Sequence, residues 1–156
     1  MAKLLLAGGR VAEIDDADLA RLSRHSWHVS PRGYVTRWGK TEDGRETQVP
    51  LHRDVLGCTQ NDGRIVDHRN GDRLDCRRDN LRLATATQNS WNSRRKSSNT
   101  SGFKGVSLHK ASGRWSSRVT IDGRRRSLGY FDTPSEAHEL YALAISMMHG
   151  EFANAG

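Results

Sequence analysis

Nine consecutive residues without an apolar side chain set the strongest limit on how this chain can fold. The segment RRKSSNTSG, residues 94–102, is basic and rich in serine, which is the composition of a linker between folded parts. The 156 residues therefore divide into a front part, 1–93, and a rear part, 103–156. Small domains bury little surface, so we expect no large hydrophobic core in either part.

Positive charge is concentrated in and behind this linker. The chain has 25 Lys and Arg against 18 Asp and Glu, a net charge of +7 and a pI near 10.0. From Arg94 to Tyr130 there are ten Lys and Arg and one acid, Asp122, a local net charge of +9. This excess predicts a polyanionic partner, either nucleic acid or an anionic membrane. No apolar run approaches the ~18 residues of a membrane-spanning helix, and KLLLA near the start is too short for a signal peptide, so we expect an intracellular protein that binds nucleic acid.

The front part carries patterns of short strands and short helices. KLLLAGGRVAEID predicts two strands joined at its Gly-Gly pair, ADLARLSRH a helix, WHVSPRGYVTRWG and ETQVP further strands, and LHRDVLG a short helix. We expect Trp27 and Tyr34 to pack against this small core. His52 is open to two interpretations, a polar contact in the core or a contact with a phosphate. Cys58 and Cys76 form no CxxC pair, so they are predicted to be reduced, partly buried thiols rather than zinc ligands.

A unit of strand, loop, strand and helix follows at residues 64–93. RIVDHR ends at an Asn-Gly turn, NLRLAT is a second short strand, and ATQNSWNSRR is a helix with a basic last turn. Asn89 and Asn92 share a helix face, and an amide oxygen of either, with the Asp67 carboxylate, would suit Mg²⁺. His68 could take a proton from an attacking water near neutral pH. Adjacent strand residues point to opposite faces, so Asp67 and His68 meet one phosphate only if it bridges both sides or the strand twists.

The segment VDHRNGDRLDCRRDNLRLATATQNSWNSR, residues 66–94, resembles the HNH endonuclease signature of phage and intron-associated homing enzymes. The resemblance implies a ββα-metal fold that hydrolyses DNA phosphodiesters with Mg²⁺ or another divalent cation such as Mn²⁺. Cys76 departs from the Asn that is common after LD in this family. By position, the resemblance implies that His68 is the general base, Asp67 a metal ligand and Asn80 the asparagine that pins the loop. It also implies that Asn89 is the second metal ligand, with Asn92 as the alternative.

The rear part predicts three strands followed by a helix. FKGVSLHKASGRWSSRVTIDGRRRSLGYFDT has turns at Ser112-Gly113 and Asp122-Gly123, and PSEAHELYALAISMMHGEF is a helix that begins at Pro134. On the second strand apolar side chains alternate with polar and cationic ones, so one sheet face should cover the helix while the other is cationic. The predicted apolar stripe of the helix consists of Leu140, Leu143, Ala144, Met147 and Met148.

The motifs FKGV, GRW and SLGYFDTPSEAHELYALA of the rear part resemble the Apetala/ethylene-response-factor DNA-binding domain. That domain lays its sheet in the DNA major groove, which admits a β-ribbon. Plant members carry an acid where Arg118 stands, so their base preference does not carry over. The DNA contacts that the resemblance implies are Lys104, Ser107, His109, Arg114, Arg118, Thr120 and Arg125. The linker residues expected to follow the DNA backbone are Arg94, Arg95 and Lys96.

Together these patterns predict an α+β protein with a small N-terminal α+β scaffold that carries the ββα-metal unit, a basic linker, and a three-stranded antiparallel sheet with a helix. The predicted function is a metal-dependent endonuclease of the phage homing type. It would act on double-stranded DNA as a monomer or homodimer, in the host cytoplasm if phage-encoded. One alternative is a sequence-specific DNA-binding regulator with an inactive nuclease unit, and another is an RNA-binding protein.

Overall fold

The computed structural model describes residues 1–41, 43–59, 62–93, 95, 97–121 and 123–156. They form two compact units, Met1–Ala86 and Thr87–Gly156. The boundary between the two units lies at residues 86 and 87. The sequence predicted a boundary further along the chain, at the segment 94–102. Within the described ranges, no helix is long and apolar enough to cross a membrane.

The first unit is built from short antiparallel strands and two short helices. Its elements in chain order are β1 (Ala2–Leu5), β2 (Val11–Ile14), α1 (Asp16–Leu22), β3 (His28–Val29), β4 (Val35–Lys40), β5 (Glu46–Pro50), α2 (Leu51–Val55), β6 (Ile65–His68) and β7 (Leu81–Ala84). They make three small sheets, β1-β2, β3-β4-β5 and β6-β7. The expected strands and short helices are confirmed, except that the first helix ends at Leu22 and does not continue to His25.

One hydrophobic cluster holds the first unit together. Trp27 is 1% exposed and donates its indole N–H to the carbonyl of Leu22 at 2.8 Å, and Tyr34 is half-buried. The loop between β6 and β7 is attached to this cluster by the backbone of β2. Glu13 donates to Leu74 and accepts from Cys76, both at 2.8 Å. The core therefore fixes the loop that follows the Asp-His pair.

The second unit is a sheet covered by a helix, preceded by a short helix that begins at the division. Its elements are α3 (Ala86–Trp91), β8 (Val106–His109), β9 (Arg114–Ile121), β10 (Arg124–Phe131), α4 (Pro134–His149) and a 3₁₀ turn, Gly150–Phe152. The antiparallel sheet has the order β10-β9-β8. Helix α4 starts with a capping box in which the Thr133 hydroxyl accepts from the Glu136 backbone and the Glu136 carboxylate accepts from the Thr133 backbone. The predicted three strands and helix are confirmed; the turn residue Asp122 lies outside the described residues.

The predicted apolar stripe of α4 is wrong. The helix buries Ala137, Tyr141 and Ile145, which are four residues apart, while Leu143 is 58% and Met147 79% exposed. Two faces of this helix are apolar, and the face that packs against the sheet is the one that carries Tyr141. A Cβ at Gly105 would lie 2.2 Å from the Tyr141 ring, so this ring fits only against a glycine at the start of the sheet.

Candidate functional site

Asp67 and His68 lie at the end of β6, as predicted, and their side chains have different surroundings. In the β6-β7 ladder Asp67 is opposite Arg82, and His68 is opposite Leu81. Residues directly opposite each other share a sheet face, and adjacent residues do not. The expectation that Asp67 and His68 diverge is therefore met in this short ladder.

The Asp67 carboxylate forms a buried ion pair with Arg82. The Nε and Nη2 atoms of Arg82 lie 2.9 and 2.8 Å from Oδ2 of Asp67. The Asp67 side chain is 7% exposed and the Arg82 side chain is 5% exposed. The sequence analysis missed Arg82, although its place opposite Asp67 follows from the strand register.

His68 is packed among aromatic rings and a thiol. Its ring centroid lies 5.1 Å from that of His52, at 72°, and 6.2 Å from that of Tyr34. Burial lowers the pKa of His68 below its usual value of 6.5, and the negative charges of Asp67, Asp72 and Asp75 act in the opposite direction. The lowered pKa makes the neutral imidazole, the form that can accept a proton, the main form at pH 7.

His52 is a core residue of this site rather than a surface contact for phosphate, which resolves the two interpretations left by the sequence. It is 8% exposed, and its ring also lies 5.3 Å from that of Tyr34. Burial, with a smaller contribution from His68, lowers the pKa of His52 to about 3. Among the described residues, its Nδ1 has no hydrogen-bond partner.

Asn80 connects both ends of the loop between β6 and β7. Its Oδ1 accepts from the backbone of Asn70 at 3.0 Å, and its Nδ2 donates to the carbonyl of Asp75 at 2.7 Å. The Asn70 amide donates in turn to the Asp75 carboxylate at 3.0 Å. Hydrogen bonds from Arg77 lower the pKa of Asp75, so this carboxylate is charged. Asn80 therefore ties the two ends of this loop together.

Cys76, which replaces an asparagine of the family pattern, contacts the imidazole of His68. Its Sγ lies 3.8 Å from Nε2 of His68 and 3.8 Å from the carbonyl oxygen of Arg73. The side chain is fully buried, and burial raises the pKa of the thiol to about 12. Burial therefore favours the neutral thiol of Cys76, which suits a weak hydrogen bond.

The two candidate asparagines of the helix belong to the second unit, and their surroundings differ. Asn89 is exposed on α3. Asn92 is 6% exposed, and the Asn154 amide donates to its backbone carbonyl at 2.8 Å and to its Oδ1 at 3.4 Å. Helix α3 ends at Trp91, earlier than the predicted end, and has no basic residue in its last turn. Among the described residues no group of three or more His, Cys, Asp or Glu is placed to hold a metal ion.

The predicted DNA contacts of the rear part fall into two groups. Register places one group on the sheet face opposite α4: Ser107, His109, Arg114, Arg118, Thr120 and Arg125. A depression of about 230 Å³ on this face is lined by Ser107, Arg118, Thr120 and Arg125, among others. Lys104 is used differently, since its Nζ donates to three backbone carbonyls of the same unit. Arg94 and Lys96 lie outside the described residues, whereas Arg95 is exposed.

Comparisons with known proteins agree with the motif of the first unit. Residues 58–91 match the family model for HNH endonucleases. Protein 3.8 of Escherichia phage T7 is 37% identical over 133 residues, which cover 85% of this chain and 97% of that protein. An uncharacterized HNH endonuclease of Acanthamoeba polyphaga mimivirus is 29% identical over 139 residues, which cover 85% of this chain and 67% of that protein. No solved structure matches significantly.

The chain thus carries an HNH endonuclease domain, and the matched segment contains Asp67, His68, Asn80 and Asn89. Asn92 lies one residue beyond the match. The chain belongs to the same family as Protein 3.8 of phage T7, which it matches over almost the whole length of that protein.

Proposed function

We propose that this protein is a metal-dependent DNA endonuclease of the homing type in which His68 acts as the general base. The observation that carries the proposal is the environment of His68 within the HNH segment. Its imidazole is buried beside His52, Tyr34 and Cys76, and its lowered pKa makes it neutral at pH 7. A neutral imidazole can accept the proton of an attacking water, which is the task of a general base.

Cys76 supports this role by orienting the imidazole. An S–H directed at the carbonyl of Arg73 leaves Sγ to accept the Nε2–H of His68. The proton of the neutral ring is then on Nε2, and the basic lone pair is on Nδ1. A hydrogen bond to one ring nitrogen fixes which of the two nitrogens performs the chemistry.

Asp67 and Asn89 are the residues we assign as ligands of Mg²⁺ or Mn²⁺. HNH nucleases generally use divalent metal ions, and carboxylate and amide oxygens are suitable ligands for such hard cations. Asp67 provides a carboxylate, whose Oδ2 accepts from Arg82. Exposed Asn89 is the better choice than Asn92, whose Oδ1 is engaged by Asn154. A bound cation would polarise the phosphate and stabilise the leaving oxygen.

Duplex DNA is the substrate that the second unit would hold, as an Apetala-like sheet. Arg118 and Arg125 lie with Thr120 along one depression of the helix-free sheet face. Arginine side chains on one sheet face can neutralise phosphates or read base edges. Arg114 contributes less, because its Nε already binds the Asp132 carboxylate at 3.0 Å.

A DNA-binding regulator with an inactive nuclease unit is the second candidate. The buried pair of Asp67 and Arg82 favours it, because the guanidinium already balances the charge of the carboxylate. The regulator would bind the same duplex and leave a supercoiled plasmid intact in Mg²⁺.

The experiment is therefore a cleavage assay on supercoiled plasmid with Mg²⁺, for the wild type and His68→Ala. We expect His68→Ala to lower the cleavage rate ~10²–10⁴-fold, the usual contribution of a general base, with duplex affinity unchanged. His68→Gln, which fills most of the same space without the basic nitrogen, should be equally slow. His25→Ala is the matched control, since His25 is exposed and outside the motif. Wild-type rates for both His68 variants would show that another group activates water, and an inactive wild type would favour the regulator.

A further inference from the structure

Helix α3, the helix of the HNH segment, cannot be stable on its own. It has six residues and none of them is buried, whereas isolated helices shorter than ~12 residues are marginal in water. The match to the HNH family ends on this helix, at residue 91, yet all but its first residue belong to the second unit. The contacts that hold the end of α3, described next, all lie within residues 87–156.

Lys104 caps the C-terminal end of α3. Its Nζ lies 2.9 Å from the carbonyl oxygen of Trp91, 2.6 Å from that of Ser93 and 2.7 Å from that of Asn154. The last carbonyls of a helix have no partner within the helix, and a cation there also opposes the negative end of the helix dipole. Three short bonds use all three donors of the ammonium group. Lys104 thus links the end of α3 to the C-terminal residues of the chain.

Two further contacts attach the same helix end. The rings of Trp91 and His149 are stacked, with centroids 4.0 Å apart and an angle of 2° between the planes. Asn154 donates from its side-chain amide to the carbonyl of Asn92 at 2.8 Å. His149 is the last residue of α4, and Asn154 follows the 3₁₀ turn. The end of α3 is therefore held by one residue before the sheet and two residues after it.

We infer that Lys104, His149 and Asn154 are positioning residues for the nuclease: they fold α3 and thereby fix Asn89. This inference rests on the proposed function insofar as Asn89 is a metal ligand. It assigns a second role to the second unit, which orders the last helix of the HNH segment as well as presenting the cationic sheet. It also reverses the expectation for Lys104, which the Apetala resemblance placed among the DNA contacts. A fragment that ends near Arg94 would then lack an ordered α3.

The first test measures the helix itself, in the full chain and without DNA or metal. Backbone ¹³Cα shifts report the helical population of residues 86–91 in the wild type and in Lys104→Met, which keeps a similar length but loses the three donors. We expect the helical population to fall at least about twofold, with unchanged shifts in β8–β10. Lys110→Met, at an exposed lysine in the turn after β8, should change neither. Unchanged shifts of α3 in Lys104→Met would overturn the inference.

Asn154→Ala is the second variant, because it removes one contact outside the sheet and leaves Lys104 in place. If Lys104→Met disturbs the sheet, this variant decides. If the ¹³Cα shifts of α3 in Asn154→Ala lose their helical values while those of the sheet are unchanged, the inference is supported. Unchanged helical shifts of α3 overturn it. These readouts do not require cleavage, so they remain decisive even if the wild type proves inactive and the proposed function fails.

The second test separates positioning from contact with DNA. Loss of a group that orients a ligand typically costs 10–100-fold in activity, so we expect Lys104→Met to slow plasmid cleavage by this factor. Duplex affinity and its salt dependence should stay at the values of Lys110→Met. If Lys104 instead bound a phosphate, the slope of log affinity against log salt would become shallower by about 0.9 while α3 stayed intact. That combination would return Lys104 to the DNA contacts and refute the positioning role.

Discussion

Replacing Arg82 with Met should destabilise the first unit strongly, because it removes a buried guanidinium that pairs with the buried Asp67 carboxylate. The two side chains are 5% and 7% exposed, and both guanidinium bonds to Oδ2 are shorter than 3.0 Å. Removing one partner of a buried ion pair costs about 3–5 kcal/mol. Since a domain is stable by only about 5–15 kcal/mol, Arg82→Met should remove a large share of the stability of this unit.

The assay is amide hydrogen exchange along the β6-β7 ladder, which reports the local free energy of opening in the full chain. The control is Arg24→Met, because Arg24 is exposed and surface changes usually stay within about 0.5 kcal/mol. The double variant Asp67→Leu/Arg82→Met should recover most of the loss, since apolar replacement of both partners is often neutral or stabilising. If Arg82→Met lowers the free energy of opening by less than about 1 kcal/mol, the reasoning that this buried ion pair stabilises the first unit is refuted.

Three further predictions follow from the site. The pKa of His52 is about 3 in the folded protein, against an ordinary value of 6.5. Its neutral form therefore stabilises the fold above pH 6.5, and this contribution is lost as the pH falls from 6.5 toward 3. Denaturant unfolding at pH 7, 5.5 and 4 should show this loss of stability, and His52→Phe should make the loss smaller. Asn89→Ala should raise the Mg²⁺ concentration for half-maximal cleavage more than Asn92→Ala does, and the opposite order would move the ligand to Asn92. Changing Arg118 and Arg125 to Ala should make the salt slope of duplex binding shallower by about 2 units, and an unchanged slope would mean that this sheet face is only solvated.

The local patterns of the sequence predicted most of the architecture. The strand β6, the turn after it and β7 follow from an apolar run, an Asn-Gly pair and a second apolar run, and Gly71 has the positive φ of 69° that such a turn requires. The helix α4 was bounded by Pro134 and Gly150, which are its first residue and its C-cap. These signals are local, so they need no knowledge of what packs against the element.

The features that local patterns did not predict concern contacts between residues that are distant in sequence. Nothing near Lys104 indicates that its ammonium group caps a helix thirteen residues earlier and binds a carbonyl fifty residues later. The stripe of α4 was wrong because two faces of the helix are apolar, and only the sheet decides which one is buried. His52 was open to two interpretations, a polar core contact or a phosphate contact, and only the structure shows that its ring packs beside Tyr34 and His68. Tertiary packing settles each of these cases.

The roles that we propose for Asp67 and His68 set two opposite electrostatic requirements. A general base must stay neutral at the pH of the reaction, which burial beside rings and a neutral thiol achieves by lowering the pKa of the imidazole. A ligand for a cation must be anionic, and the carboxylate that we propose for that role, Asp67, is buried against the Arg82 guanidinium at 2.8 Å. One shared environment could not favour both states. Because neighbouring residues of a strand face opposite sides, two consecutive positions of β6 provide both environments, and the separation that first argued against a common site becomes a physical reason for placing the two residues side by side.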